Sequence, residues 1–183
     1  MTGDPADQII EFWRKAGPPR WFAKDDTFDA EIRARFEALH HSAARGELAD
    51  WAAHWQGSLA LLLLLDQFSR NLYRGSAHAF ATDPLALSIA RAAIAAGHDR
   101  QAPADLRLFF YLPFEHSERI EDQDLYLELC EELDKQGTEW ASWARMHRDI
   151  IVRFGRFPHR NEALGRQTTP AEQDFLASGG FSG

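Results

Sequence analysis

Four polar side chains follow directly on the most apolar stretch of the sequence. Asp66, Gln67, Arg70 and Asn71 come after the run Leu59–Leu65. At about 100° per helical residue they share one arc of about 140° with Arg74. Leu61, Leu65, Phe68 and Leu72 fall on the other side. Asp66 and Arg70 are four apart and can pair, as can Gln67 and Asn71. The arc reads either as the floor of a polar cleft, with a carboxylate and a guanidinium facing an anionic ligand, or as the salt-bridged face of a half-buried helix.

Two further segments carry groups able to do chemistry. In FFYLPFEHSE, Phe109 to Glu118, Pro113 removes a backbone donor and bends a helix, which frees carbonyls. Glu115 and His116 sit beside that kink as a potential acid and base. Neighbouring helical residues diverge by about 100°, so the two need not face one site. Helix-end chemistry with Ser117 as a cap is the simpler reading of the segment. Past Pro158, the donors His159, Arg160 and Asn161 crowd a turn, where they could hold an anion or tie down the next segment. The candidate ligand-binding set is therefore Asp66, Gln67, Arg70, Asn71, Glu115, His116, His159, Arg160 and Asn161. No catalytic residue stands out among them.

His147 has a different setting. It falls at the centre of an apolar helix face with Trp140, Trp143, Ile150, Ile151, Phe154 and Phe157. There it reads as a hydrogen-bonded core histidine packed by Trp143, Ile151 and Phe154. Arg145, Asp149, Arg153 and Arg156 lie opposite and form a charged outer face.

Several chemistries are excluded. The sequence has no phosphate-cradling Walker loop, GxGxxG, HExxH or GxSxG. The terminal GFSG lacks nucleophile-elbow spacing. The eight histidines show no pair at ligand spacing, so neither metal nor cofactor is expected. Cys130, between Leu129 and Leu133 on a helix, reads as a small core residue.

The elements that must position these groups are helices. Asp4-Pro5 starts the first, and Gly17-Pro18-Pro19 ends it. Phe28, Ile32, Phe36 and Leu39 repeat at helical spacing up to Gly46. After a short segment, Ser58 opens the apolar helix that ends near Gly75. Asp83-Pro84 caps another, closed by Gly97. Asp105 begins a Leu- and Phe-rich helix disturbed by Pro113. Ser117 caps the next, which runs to Gln136-Gly137. Thr138 starts a long helix reaching Phe157. Thr169-Pro-Ala-Glu172 is a capping box for a last short helix. No strand-like alternation survives. Short connections favour antiparallel neighbours, so the expected fold is all-α, with stacked antiparallel helical hairpins in a single domain, residues 1–183. Its core spans about residues 5–178, with 179–183 as a tail. No repeat at a fixed period is visible.

Composition narrows the function classes. The 183 residues are 45% hydrophobic and 12% aromatic, enough to bury a core without metals or disulfides. One cysteine permits no intrachain disulfide, and MTGDPADQII lacks the basic start of a signal peptide, so a cytoplasmic protein is expected. The longest apolar run, Leu59–Leu65, is far short of a membrane span. A net charge of −8 disfavours nucleic acid and anionic membranes. The charge is uneven. Between Trp140 and Arg166, six arginines face Asp149 and Glu162 alone, a local +4 that leaves −12 elsewhere.

The segments EFW, WFAKDDTFDAEIRARF, LLLLLDQFSRNLYRG, AFATDPLAL, FFYLPFEHSE and HRDIIVRFGRFPHRNEALGR together resemble the bacterial domain-of-unknown-function family 924, from about Ile9 to Phe175. The resemblance implies an all-α fold similar to tetratricopeptide-repeat proteins. It brings no established activity. The family usually has proline where this chain has Ser69, a change expected to ease the helix locally. The resemblance also implies that Trp21, Asp25, Asp66, Gln67, Arg70, Asn71, Glu115, His116, His147, Arg148, Asp149, Arg156, His159, Arg160 and Asn161 belong to shared motifs. The expected function is binding of a small anionic molecule in a polar cleft, with action on it as a possible extension. The alternative is an interaction module holding a peptide or helix in a groove, its polar cluster purely structural.

Overall fold

The computed structural model describes residues 4–182. Met1–Gly3, the start of the N-terminal segment, and Gly183, the end of the expected tail, lie outside the described residues. Most described residues are helical, and none of them is in a strand. The chain divides into two compact units, Met1–Arg74 with His78–Pro113, and Gly75–Ala77 with Phe114–Gly183.

The first unit contains α1 (Pro5–Ala16), the single turn α2 (Pro18–Trp21), α3 (Asp26–Ala44), α4 (Trp55–Leu62), a π turn (Leu63–Gln67), α5 (Phe68–Leu72), α6 (Asp83–Ala95), α7 (His98–Gln101) and a 3₁₀ segment (Ala104–Phe110). Asp4 starts α1 by accepting from the Ala6 amide, 2.9 Å away. The core is aromatic. Phe12 meets Phe36 at 4.9 Å, and Trp13 meets Phe68 and Phe109, each at 5.5 Å between ring centroids. Such offset and edge-on pairs add to the apolar area they bury. Leu59–Leu65 runs buried through the same core. Among the described residues no helix is long and apolar enough to cross a membrane.

The turn α8 (Leu112–Glu115) carries the chain from the first unit into the second. The second unit holds α9 (Ile120–Asp134), α10 (Trp140–Phe154), a 3₁₀ turn (Pro158–Arg160) and α11 (Pro170–Ala177). α9 and α10 form a hairpin. Asp134, the last residue of α9, accepts from the first amides of α10, Trp140 at 2.7 Å and Ala141 at 3.0 Å. One carboxylate thus links the end of one helix to the start of the next. The Thr169/Glu172 capping box is present as the sequence indicates.

Several boundaries differ from the sequence reading, each for a local reason. The apolar helix opens at Trp55, and the Ser58 hydroxyl is spent on His98 Nδ1, 2.9 Å away. Asp83 does not cap α6. It is the first residue of the helix, and its carboxylate turns to Arg70. Residues 104–110 are 3₁₀ rather than α. Ser117 does not cap α9, which begins at Ile120. Its hydroxyl donates to Asp122 at 2.7 Å. α10 stops at Phe154 because Gly155 takes φ +68°, a left-handed conformation that glycine adopts without strain. Trp143 is not in the apolar face; it is 54% exposed.

Candidate functional site

Within the first unit the polar arc is organised by the π turn. Phe68 donates its amide to the Leu63 carbonyl, five residues back. The uniform 100° step behind the arc therefore fails here, and Asp66 is only 1% exposed. Widened turns disturb the helical hydrogen-bond ladder. Three consecutive carbonyls in this turn each accept from a side chain. His40 Nδ1 donates to Leu64 at 2.8 Å, the Thr82 hydroxyl donates to Leu65, and Asp66 accepts from Ser69 Oγ at 3.0 Å and Arg70 Nη1 at 2.7 Å. Burial pushes the His40 imidazole below its ordinary pKa, which keeps the ring neutral as a donor.

Arg70 closes this network. It lies bidentate on Asp83, at 2.9 and 3.1 Å, while the Asp66 carboxylate is 3.4 Å from Nη1. The Asp66 carboxylate also accepts from Gln67 Nε2 at 2.6 Å. The expected Gln67–Asn71 pair does not form. Asn71 donates instead to Asp29 at 2.7 Å, and Asp29 also pairs with Arg74. Asp83, Asp29, Thr82 and His40 were not on the sequence's candidate list. Their partners lie 13 to 45 residues away in the chain, or are backbone carbonyls, which no local spacing reports.

The π turn also explains what residue 69 must tolerate. In a regular helix, the amide of residue 69 would bond to the Leu65 carbonyl, the one served here by Thr82. A proline at 69 would leave that carbonyl with its partner. Ser69→Pro is expected to cost under about 1 kcal/mol, against about 3 kcal/mol for proline in a regular helix interior. Urea unfolding of Ser69→Pro and of Ala90→Pro in α6 would check this; equal losses would contradict it.

In the second unit the partner of Glu115 is His147, not its neighbour His116. Glu115 Oε1 is 2.8 Å from His147 Nδ1, and both side chains are about nine-tenths buried. The same nitrogen lies 2.9 Å from the Trp143 carbonyl. Burial alone would raise the Glu115 pKa; the hydrogen bond and charge of His147 outweigh it, with help from the charge interaction with His116 and the hydrogen bond with Tyr126, and the carboxylate stays below its ordinary range. Burial would lower His147, but Glu115 raises it above the ordinary imidazole value. Cys130 behaves as the core residue read from sequence, its thiol pushed up to about 12, chiefly by burial.

The remaining candidates, His116, His159, Arg160 and Asn161, lie where side chains outside the candidate list, Gln123 and Glu118, pin irregular backbone in this unit. Gln123 donates to the carbonyls of Phe114, Glu115 and Ser117, at 3.3, 2.6 and 2.7 Å. Arg160 donates to the His116 carbonyl at 3.0 Å and lies over the Phe157 ring. Asn161 donates to Glu172 at 3.3 Å, and Glu172 forms a bidentate pair with Arg156. Glu118 holds Arg166 and the Phe157 amide. His159 meets the Phe157 ring at 5.6 Å and the Phe181 ring at 5.1 Å.

The family model described as bacterial protein of unknown function (DUF924) matches residues 9–180. The chain belongs to this family. It is also similar to a solved structure of a protein of unknown function from Agrobacterium tumefaciens. The two share 51% identity over 94% of this chain and 97% of the other, with a TM-score of 0.90. No curated protein matches. In this DUF924 chain the motif residues Asp25, Arg156 and Asn161 have structural partners. Asp25 accepts from the Thr27 and Phe28 amides and so starts α3.

Two open clefts accompany these networks. In the first unit, a cleft of about 550 Å³ is lined by Lys24, Asp26, Asp29, Arg33, Asn71 and Arg74. In the second, a groove of about 520 Å³ has Met146, Ile150, Phe154, Phe175 and Phe181 among its walls, with Arg145, Asp149 and Arg153 at its edge. Arg145 is paired with Glu131. Arg153 spreads over the Phe154 and Phe175 rings, 4.6 and 5.6 Å from their centroids. Among the described residues no group of three or more His, Cys, Asp or Glu could hold a metal ion.

Proposed function

We propose that this protein is an interaction module that holds a short peptide in the groove of its second unit, and that the buried polar clusters are scaffold. The observation that carries this reading is the groove's composition: an aromatic and aliphatic lining edged by charge. Arg153 has no carboxylate partner among the described residues, and its guanidinium lies over two phenylalanine rings. An apolar anchor residue fits such a lining, and an acidic residue beside it would meet Arg153. A small-anion site centred on Arg70 has less support, because that guanidinium is already bidentate on Asp83 and bonded to the Asp66 carbonyl.

The test is selection of binders from a random peptide display library, followed by fluorescence polarisation with the selected peptides. The expected consensus places an acidic residue near a large apolar one. Arg153→Glu should weaken binding at least about tenfold, equivalent to about 1.4 kcal/mol. Met146→Glu should abolish it. Selected peptides that bind both variants as they bind wild type, or a library that yields no binder, would overturn the proposal.

A further inference from the structure

Four rings form a closed circuit in the second unit. Phe181 meets His147 at 4.5 Å and His159 at 5.1 Å, both edge-on. Phe157 meets the same two imidazoles, at 5.9 and 5.6 Å. Phe157 belongs to α10's apolar cluster and is fully buried. Phe181 arrives differently. It follows Gly179 and Gly180, after the end of α11. Gly179 has φ +85°. A Cβ on Gly180 would lie 2.6 Å from the Phe175 carbonyl oxygen. Two glycines therefore let the segment turn back and place one ring between two imidazoles.

One of those imidazoles is oriented as though for a ligand. His147 Nδ1 is committed to Glu115 and the Trp143 carbonyl. Its Nε2, on the other side of the ring, has no protein partner among the described residues. A carboxylate that fixes one nitrogen of a histidine leaves the other aimed and chemically available. A buried ion pair is a poor way to stabilise a core, since apolar residues of similar volume usually do as well or better.

We propose that the space held by the Phe181 ring is a binding site for a small aromatic carboxylate, whose ring replaces that of Phe181 between His147 and His159 and whose carboxylate accepts from His147 Nε2. The Gly179–Phe181 segment closes the site when it is empty. A flat six-membered ring matches what the slot already holds. The anionic group supplies the acceptor that Nε2 lacks among the described residues. Phe181 also lines the groove proposed for a peptide; titrations without peptide test this site by itself.

Benzoate is the probe, with benzyl alcohol as a ring without charge and acetate as charge without a ring. Isothermal titration at constant ionic strength would compare wild type with Phe181→Ala. Benzoate is expected to bind Phe181→Ala at least tenfold more tightly than wild type, since the competing ring is gone, while acetate binds neither. In the Phe181→Ala background, His147→Asn keeps a donor near the Nδ1 position for Glu115 and removes Nε2. It should lose benzoate at least tenfold yet keep benzyl alcohol. Should a variant fail to fold, ¹⁵N-detected imidazole spectra of wild type decide. Saturable shifts of His147 Nε2 with benzoate, absent with the two controls, support the site. Equal binding of benzoate and benzyl alcohol to Phe181→Ala, or wild-type spectra that benzoate leaves unchanged, overturn it.

Discussion

Arg70→Ala is expected to lower stability by about 3–5 kcal/mol, the loss typical of removing one partner from a buried ion pair. For a domain of this size that is a drop in melting temperature on the order of 10 °C. The side chain serves three acceptors: the Asp66 carbonyl and both oxygens of Asp83. Its removal strands a carboxylate and leaves the π turn without one of its side-chain donors. Arg70→Met should be nearly as damaging, because the lost groups are polar and methionine restores none of them. Arg70→Met combined with Asp83→Asn should recover about 1–2 kcal/mol relative to the sum of the single losses, as coupled neighbours do. Urea unfolding of the four proteins measures this cycle. If Arg70→Met were neutral or stabilising, the guanidinium would be held for a ligand, and the small-anion reading would return.

The second large effect concerns Glu115 and His147. His147→Ala should cost about 3–5 kcal/mol near neutral pH, since it leaves a carboxylate buried without its cation. Packing alone would give less. Phe157 and Phe181 contact the ring, whereas Trp143, expected beside it, faces outward. The pH dependence separates ion pair from packing. His147 is shifted upward, so its contribution is complete below about pH 6.5 and fades as pH rises through its raised folded value. Glu115 is shifted downward, so its contribution is complete above about pH 4.5 and fades as pH falls through its lowered folded value. The stability difference between wild type and Glu115→Gln should therefore be largest between about pH 4.5 and 6.5 and shrink on either side. Thermal unfolding of both proteins from pH 4 to 9 measures it. A difference independent of pH would mean that the pair is not ionised.

Much of the architecture was legible in the chain itself. Capping residues and glycine stops marked helices because a helix end must satisfy its own amides and carbonyls within a few residues. Asp4 and the Thr169–Glu172 box are cases in point. Apolar spacing identified the buried faces, since burial follows the helical period over short range. The motifs of the DUF924 family were likewise readable as linear strings.

Partnership was not. Glu115 and His147 were both noticed, yet nothing in FFYLPFEHSE says that Glu115 meets a histidine 32 residues on rather than His116 beside it. The adjacent pair diverges along the helix, and the real pair needs two distant segments to pack. The same holds for Arg70, whose sequence neighbour Asp66 offered an obvious bridge while Asp83 took the bidentate position. Here the π turn decided the outcome. One extra residue in a turn changes the phase of every side chain after it, and apolar spacing cannot register that change, because leucines on both sides are buried alike. Phe181 completes the contrast. Its glycine-rich segment reads as a tail, and its contacts with two imidazoles exist because tertiary packing brings α10 and the residues after α11 together. Local sequence thus determined which segments are helical and which faces are apolar. Which buried charge meets which was decided by tertiary packing, because desolvated groups must find whatever opposite charge or donor the packed chain brings within reach.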